Sequence, residues 1–450
     1  MAVRIAASEA GDLAGLVPSG RQTARAGRCL AVCLVGLLAA PALGQEAKPA
    51  PPAQLADVGI SAERLQRLDR FMRDATDADG YLGGVVLIAR NGHVVDWQAY
   101  GHRDIGRHDP MRRDSIFRIY SMTKTVASVA LMMLVEEGKL SLDDPVERFL
   151  PAFAHMQVLV GGTAYAPELQ PAKTPITLHE LLTHTAGLPA GLPGDDVAVA
   201  LQERAEPHGA ADLREFVSRL SGAPLAADPG TRFGYDGAAL ETIARVIEVV
   251  SGQPFAEFLQ QRIFAPLRMR DTGFRMPVAQ RGRVVDITRT GDDGKLRLDD
   301  GPSARQPGEP LNAYDSGAGG LYSTAGDYAR FAQMLLDGGT FEGHSMLGRK
   351  TVELMLANHL TMLDPPVTQF SDAEGFGIGG YVVLDPARRG QPGSVGQYGW
   401  AGAASTTFMI DPREKLVAIL LLQHLPRGDG KPDLPRLSRP FYTLVYQALL

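Results

Sequence analysis

Tyr120-Ser121-Met122-Thr123-Lys124 opens an apolar stretch that predicts a helix from Thr123 to Glu137, closed by Gly138. Positions three apart share a helix face, so the Lys124 amine runs beside the Ser121 hydroxyl. A serine is a weak nucleophile until a neighbouring base takes its proton, and a lysine held neutral by burial is one such base. The run from Val126 to Val135 is apolar on nearly every side, which predicts a central, buried helix. Burial is what favours the uncharged amine of Lys124. Without chemistry, Ser121 would merely cap this helix while Lys124 reached for water, and four residues alone leave both readings open.

Composition narrows the field. The 450 residues are 45% hydrophobic and 21% charged, enough to bury a large core and unlike a disordered or fibrous chain. Arg21, Arg25 and Arg28 precede an apolar run from Cys29 to Leu43, and Pro41-Ala42-Leu43-Gly44 supplies small residues before Gln45. This predicts an export signal over residues 1–44, and hence a periplasmic or secreted protein. The run is too short to span a bilayer and no later segment is long enough, so no stable membrane insertion is expected. Cys29 and Cys33 both lie inside the signal. An exported chain therefore has no disulfide, no thiol nucleophile and no Cys-ligated metal. Losing residues 1–44 removes four arginines and two acids, taking the formal charge from -6 to -8. That mild acidity, with no basic block, argues against a nucleic-acid partner. Residues 45–58, rich in Pro and Ala, read as a linker, and residues 59–450 as the folded domain.

Strand signals sit at the two ends of that domain. Ser61 to Asp74 has helical spacing, and Val85 to Arg90, Asn91-Gly92 and His93 to Tyr100 read as a hairpin. The closing strands are predicted at Phe376 to Leu384, Ser405 to Ile410 and Leu416 to Gln423, with a last helix over Leu434 to Leu450. Between them lie helices and loops, including the capping box Thr177-Leu178-His179-Glu180 and a helix opened by Thr324-Ala325-Gly326-Asp327. The expected fold is α+β: one antiparallel sheet assembled from both chain ends and flanked by helices, with a mostly helical lobe, about 145–360, inserted between them. Three long Gly/Pro-rich stretches remain, at Gly187 to Gly230, Gly291 to Pro310 and Met362 to Gly375, the first two read as lids.

Five segments recur in a familiar order: Tyr120 to Lys124, Leu181 to Leu188 (LLTHTAGL), Pro229 to Tyr235 (PGTRFGY), Gly319 to Thr324 (GGLYST) and Gly399-Trp400-Ala401-Gly402. Together they resemble the serine hydrolases of the class C β-lactamase and penicillin-binding-protein superfamily, most closely the family VIII carboxylesterases, over about residues 60–425. The resemblance implies a β-lactamase-like fold and an acyl-enzyme mechanism without metal or cofactor. It assigns Ser121 as nucleophile, Lys124 as its proton acceptor and Tyr235 as the acid/base that protonates the leaving group. It places the oxyanion donors on the backbone N–H groups of Ser121 and Ala403, with Gly402 leaving room for a substrate backbone and Tyr120 and Trp400 lining the cleft. The partner implied is a small-molecule ester; nothing in the pattern sets an oligomeric state.

Two departures carry meaning. The superfamily's Tyr-x-Asn reads Tyr235-Asp236-Gly237 here, so position 237 offers no amide, and Asp236 either caps the following helix or enters the cleft. The lysine of Lys-Thr-Gly is replaced by Trp400, which suits a neutral, partly apolar substrate rather than an anionic one. A β-lactamase or D-alanyl peptide hydrolase is the first rival, and a penicillin-recognising domain without turnover the second. His179 and His184 are five apart, so they point apart and do not form a zinc helix. Ser345 lacks the elbow glycine, since Leu347 stands in its place. Ser316, Ser323 and His184 read as structural hydrogen-bonding residues.

Overall fold

The computed structural model describes residues 52–77 and 80–450; the predicted signal and the linker up to residue 51 lie outside them. Helix α1 (Ala62–Ala75) is capped by Ser61, whose hydroxyl accepts from Arg64 N. Strands β1 (Gly83–Arg90) and β2 (His93–Gly101) are joined at Asn91-Gly92, both with positive φ as the tight hairpin turn requires. Then come α2 (Thr123–Glu136), α3 (Ala238–Ser251) and α4 (Ala325–Leu336). The chain closes with β3 (Glu374–Phe376), β4 (Tyr381–Val383), β5 (Tyr398–Gly402), β6 (Thr406–Asp411), β7 (Leu416–Leu421) and α5 (Ser438–Tyr446). Among the described residues these strands form one seven-stranded antiparallel sheet in the order β3-β4-β5-β6-β7-β1-β2. Both chain ends thus meet at the β7–β1 pairing, where Val85 faces Leu421 and Arg90 faces Leu416.

The two-residue pleat divides the strands between two cores. Val85, Leu87, Val417 and Ile419 enter the large core containing α2, while Val86, Ile88, Ala418 and Leu420 pack under α1 and α5. Burial on both faces explains why β1 and β7 read as continuous apolar runs rather than alternating ones. α2 is buried from Thr123 to Leu134, matching its all-round apolar sequence.

Several boundaries differ from the sequence reading. Residues 52–58, read as linker, form helical turns, and Leu55 is buried under α1 and α5. The inserted lobe is shorter than 145–360, because α4 packs directly on β1, β6 and β7. Its buried Tyr328, Phe331 and Leu335 announce a buried face but not which surface covers it. The lobe also contains two hairpins, Gln157–Thr163 with Ala166–Pro171 and Thr288–Thr290 with Leu296–Leu298. Phe376 to Leu384 is a hairpin rather than one strand, turning at Gly379 with φ 84°. β5 went unseen because two of its five residues are glycine, which weakens a strand signal. The stretch Gly187 to Gly230 is no open loop: it holds helices Asp196–Arg204 and Leu213–Leu220.

Candidate active site

Ser121 sits in a single 3-10 turn, Tyr120–Met122, that runs straight into α2. Tyr120 adopts φ 43°, a left-handed conformation costly for a side-chain-bearing residue and tolerated where surroundings hold it. They do. Ile119 N donates to Leu321 O at 3.0 Å, Tyr328 Oη to Met122 O at 3.0 Å, and Leu321 N to Thr123 Oγ1 at 3.2 Å. The turn thereby fixes the hydroxyl at the N-terminal end of the buried helix.

Lys124 lies one turn on and is 4% exposed. Its Nζ stands 3.2 Å from Ser121 Oγ and donates to Ala318 O at 2.8 Å. The same nitrogen is 5.0 Å from the centre of the Tyr235 ring. Tyr235 Oη in turn accepts from Trp400 Nε1 at 3.2 Å, so the indole occupies a lone pair and restricts where the phenolic O–H can point. Ser121, Lys124, Tyr235 and Trp400, spread over 280 residues of sequence, thus share one locus.

β5 closes the other side. A Cβ on Gly402 would sit 2.3 Å from both Ile119 O and Thr406 Oγ1. The expectation was room for a substrate backbone; the neighbour that needs this glycine is the chain's own backbone two residues before Ser121. The absence of a side chain lets β5 press against the Ser121 turn and brings the Ala403 segment alongside it. Gly402→Val should therefore push β5 off that turn and lower kcat/KM for an ester by about 10²-fold, the usual effect of a 1 Å misplacement. Kinetics on a variant whose circular dichroism is unchanged checks this.

Asp236 takes the first of the two parts considered for it, the helix cap, and its other oxygen turns to a buried histidine. Oδ1 accepts from Ala239 N at 2.7 Å and so caps α3, while Oδ2 meets His184 Nδ1 at 3.1 Å. His184 is fully buried between Tyr235, Phe233 and Phe376, and burial holds its imidazole below the usual histidine range despite the opposing pull of Asp236. His179 goes elsewhere, pairing with His359 at 2.9 Å. Gly237 has open space toward Ala318, with a Cβ 3.9 Å from its nearest neighbour, so no steric reason keeps a side chain out. Ser323 pairs with Thr272 at 2.8 Å and Ser316 with Glu241 at 2.5 Å, as structural residues would. Ser345 lies on the exposed strand His344–Ser345.

Two residues had no place in the sequence reading. Gln369 Oε1 accepts from Tyr235 N at 3.0 Å, and the Phe370 ring lies 5.7 Å from Tyr235 and 6.2 Å from Trp400 while remaining 56% exposed. The stretch Met362 to Gly375, the one not read as a lid, is the one that roofs Tyr235. Tyr120 faces the second Gly/Pro-rich stretch, Gly291 to Pro310: burial raises its phenol to about 12, and Ser303 and Asp299 act on it. A separate cavity of about 410 Å³, lined by Phe264, Phe274, Arg275 and Asp315, shares no residue with this set.

Comparison with known proteins places the chain as a whole. The beta-lactamase family profile matches residues 68–439. Esterase EstB of Burkholderia gladioli is 30% identical over 391 residues, covering 83% of this chain and 93% of that protein. Lovastatin esterase of Penicillium rubens is 30% identical over 397 residues, covering 81% and 94%. Among solved structures, EstCE1, a hydrolase with promiscuous acyltransferase activity, superposes with a TM-score of 0.69 at 26% identity, over 86% of this chain and 97% of its own.

Proposed function

The chain belongs to the beta-lactamase family, as a serine hydrolase of that fold, and from this premise we propose that it cleaves short-chain carboxylic esters through an acyl-enzyme on Ser121. The observation that carries the reading is the pairing of a buried amine with the serine hydroxyl, Lys124 Nζ to Ser121 Oγ at 3.2 Å, under the Tyr235 ring. Lys124 takes the Ser121 proton as Oγ attacks the ester carbonyl. The N–H groups of Ser121 and Ala403 receive the oxyanion, with the positive end of α2 behind them. Tyr235 delivers a proton to the departing alkoxide, and water then attacks the acyl-serine by the same steps in reverse. No metal or cofactor enters this scheme.

The walls argue for a neutral substrate. Phe370 and Trp400 pack edge to face or tilted on Tyr235, and Phe376 and Tyr381 pack on Trp400, where β-lactam hydrolases offer a cation, so an acyl or alcohol group meets aromatic surface. A β-lactam loses two polar anchors, at positions 400 and 237, and each absent partner costs about 1–3 kcal/mol, roughly ten- to a hundredfold in kcat/KM. Rates on p-nitrophenyl esters beside a chromogenic cephalosporin test the reading. Efficient C2–C6 ester hydrolysis with slow cephalosporin turnover is expected; efficient cephalosporin hydrolysis with inert esters would overturn it in favour of a β-lactamase. We further propose export to the periplasm or medium, on the strength of residues 1–44; the N-terminus of the protein recovered from those compartments tests it.

A further inference from the structure

Behind Lys124, outside the cleft, lies a carboxyl group that the scheme above does not use. Glu241 is on α3, six residues after Tyr235, and 1% exposed. Its Oε1 accepts from Ser316 Oγ at 2.5 Å and its Oε2 from Gly317 N at 2.8 Å. Ser316 Oγ in turn accepts from Gly319 N at 3.1 Å. The turn is seated directly on the helix: a Cβ on Gly317 would lie 2.4 Å from Leu240 O and 2.9 Å from the Ala244 methyl. One residue further on is Ala318, whose carbonyl receives Lys124 Nζ.

We propose that Glu241 is a positioning residue for the Ser121–Lys124 pair: its carboxylate pins the Ser316–Gly319 turn that presents Ala318 O to the amine, and its charge sets the pH at which that amine is free to accept the Ser121 proton. The inference rests on the acyl-enzyme reading above and deepens it.

Burial raises the Glu241 carboxyl to about 7, while Ser316, the nearby Lys124 charge and Gly317 pull it back down. Of the titratable groups on the elements around it, Lys124 of α2 and Tyr314 interact with it electrostatically. Asp236 and Lys124 act on His184, while Arg245 and Glu248 of its own helix pair with each other at 2.8 Å. Glu241 and Lys124 therefore act on each other's charge, each favouring the ionised form of the other. An ionised Glu241 favours the ammonium form of Lys124, which cannot take a proton. Removing the negative charge without disturbing the turn should make the neutral amine available at lower pH.

Glu241→Gln does this, because the amide oxygen still accepts from Gly317 and the amide N–H₂ donates to Ser316. The test is kcat/KM for p-nitrophenyl butyrate against pH, beside wild type and Ser121→Ala. Glu241→Gln should move the acid limb down by roughly one pH unit, with KM altered by less than about twofold since Glu241 touches no substrate. An acid limb that coincides with that of wild type, or moves up, overturns the inference. If Glu241→Gln does not fold, Ser316→Ala replaces it. Loss of the serine donor leaves the carboxylate less stable, so the limb moves down by a smaller amount and kcat falls; an unmoved limb there is equally fatal. Residual ester turnover by Ser121→Ala would strike at the acyl-enzyme reading itself, whereas an inactive Ser121→Ala beside an unmoved limb would remove only the role of Glu241.

Discussion

Ser121→Ala is expected to lower kcat on p-nitrophenyl butyrate by on the order of 10⁴-fold or more, with the melting temperature of the protein nearly unchanged. The size follows from covalent catalysis: without Oγ no acyl-enzyme forms, and only the oxyanion N–H groups and substrate binding remain to assist water. The fold should survive, because Ser121 Oγ contributes one hydrogen bond, to Lys124, while the turn is held by the main-chain and side-chain bonds of Ile119, Met122 and Thr123. Activity within tenfold of wild type would require a different nucleophile.

Lys124→Ala on every ester, and Tyr235→Phe on esters of poor leaving groups such as ethanol, should each cost about 10²–10⁴-fold in kcat, the usual range for a lost proton-transfer group. They should differ in kind. Lys124→Ala removes the acceptor for the Ser121 proton and leaves Ala318 O facing a cavity, so acylation by every ester should slow. Tyr235→Phe keeps the ring packed on Trp400 and His184 and removes only the hydroxyl that accepts from the indole. Its penalty should therefore grow with the pKa of the leaving alcohol, small for nitrophenol and large for ethanol, because only a poor leaving group needs the proton. The double variant should lose less than the product of the two, since both act on one proton path. A Tyr235→Phe enzyme equally slow on both leaving groups would remove the acid role from Tyr235.

How much of this was legible in the sequence depends on whether the signal was local. Ser121 and Lys124 were visible because a three-residue spacing on an all-apolar helix reports both their contact and their burial. The hairpin β1–β2 was visible through Asn91-Gly92, and the meeting of the two chain ends through the apolar runs of β1 and β7. β5, which carries Trp400 and Gly402, was hidden by its glycines, yet those glycines exist because Phe408 O and Ile119 O approach within 2.3 Å of where a Cβ would be. The same close packing that builds the site erased the strand signal. Glu241 was hidden for another reason. With Arg245 and Glu248 it forms a stripe at helical spacing that reads as a solvated face, whereas the structure turns 241 inward beneath Gly317 and leaves the Arg245–Glu248 pair outside it. Gln369 and Phe370 lie 134 and 135 residues from Tyr235, in a stretch without periodicity, and no pairwise rule reaches that far.

The account turns on a covalent bond to one oxygen. The most direct measurement is intact mass and peptide mapping after reaction with a serine-directed alkyl phosphonate ester. One equivalent of phosphonyl group on the peptide containing Ser121, absent from Ser121→Ala and slowed in Lys124→Ala, is the predicted result. An adduct on Ser345 or Ser316, or full labelling that persists in Ser121→Ala, would contradict it.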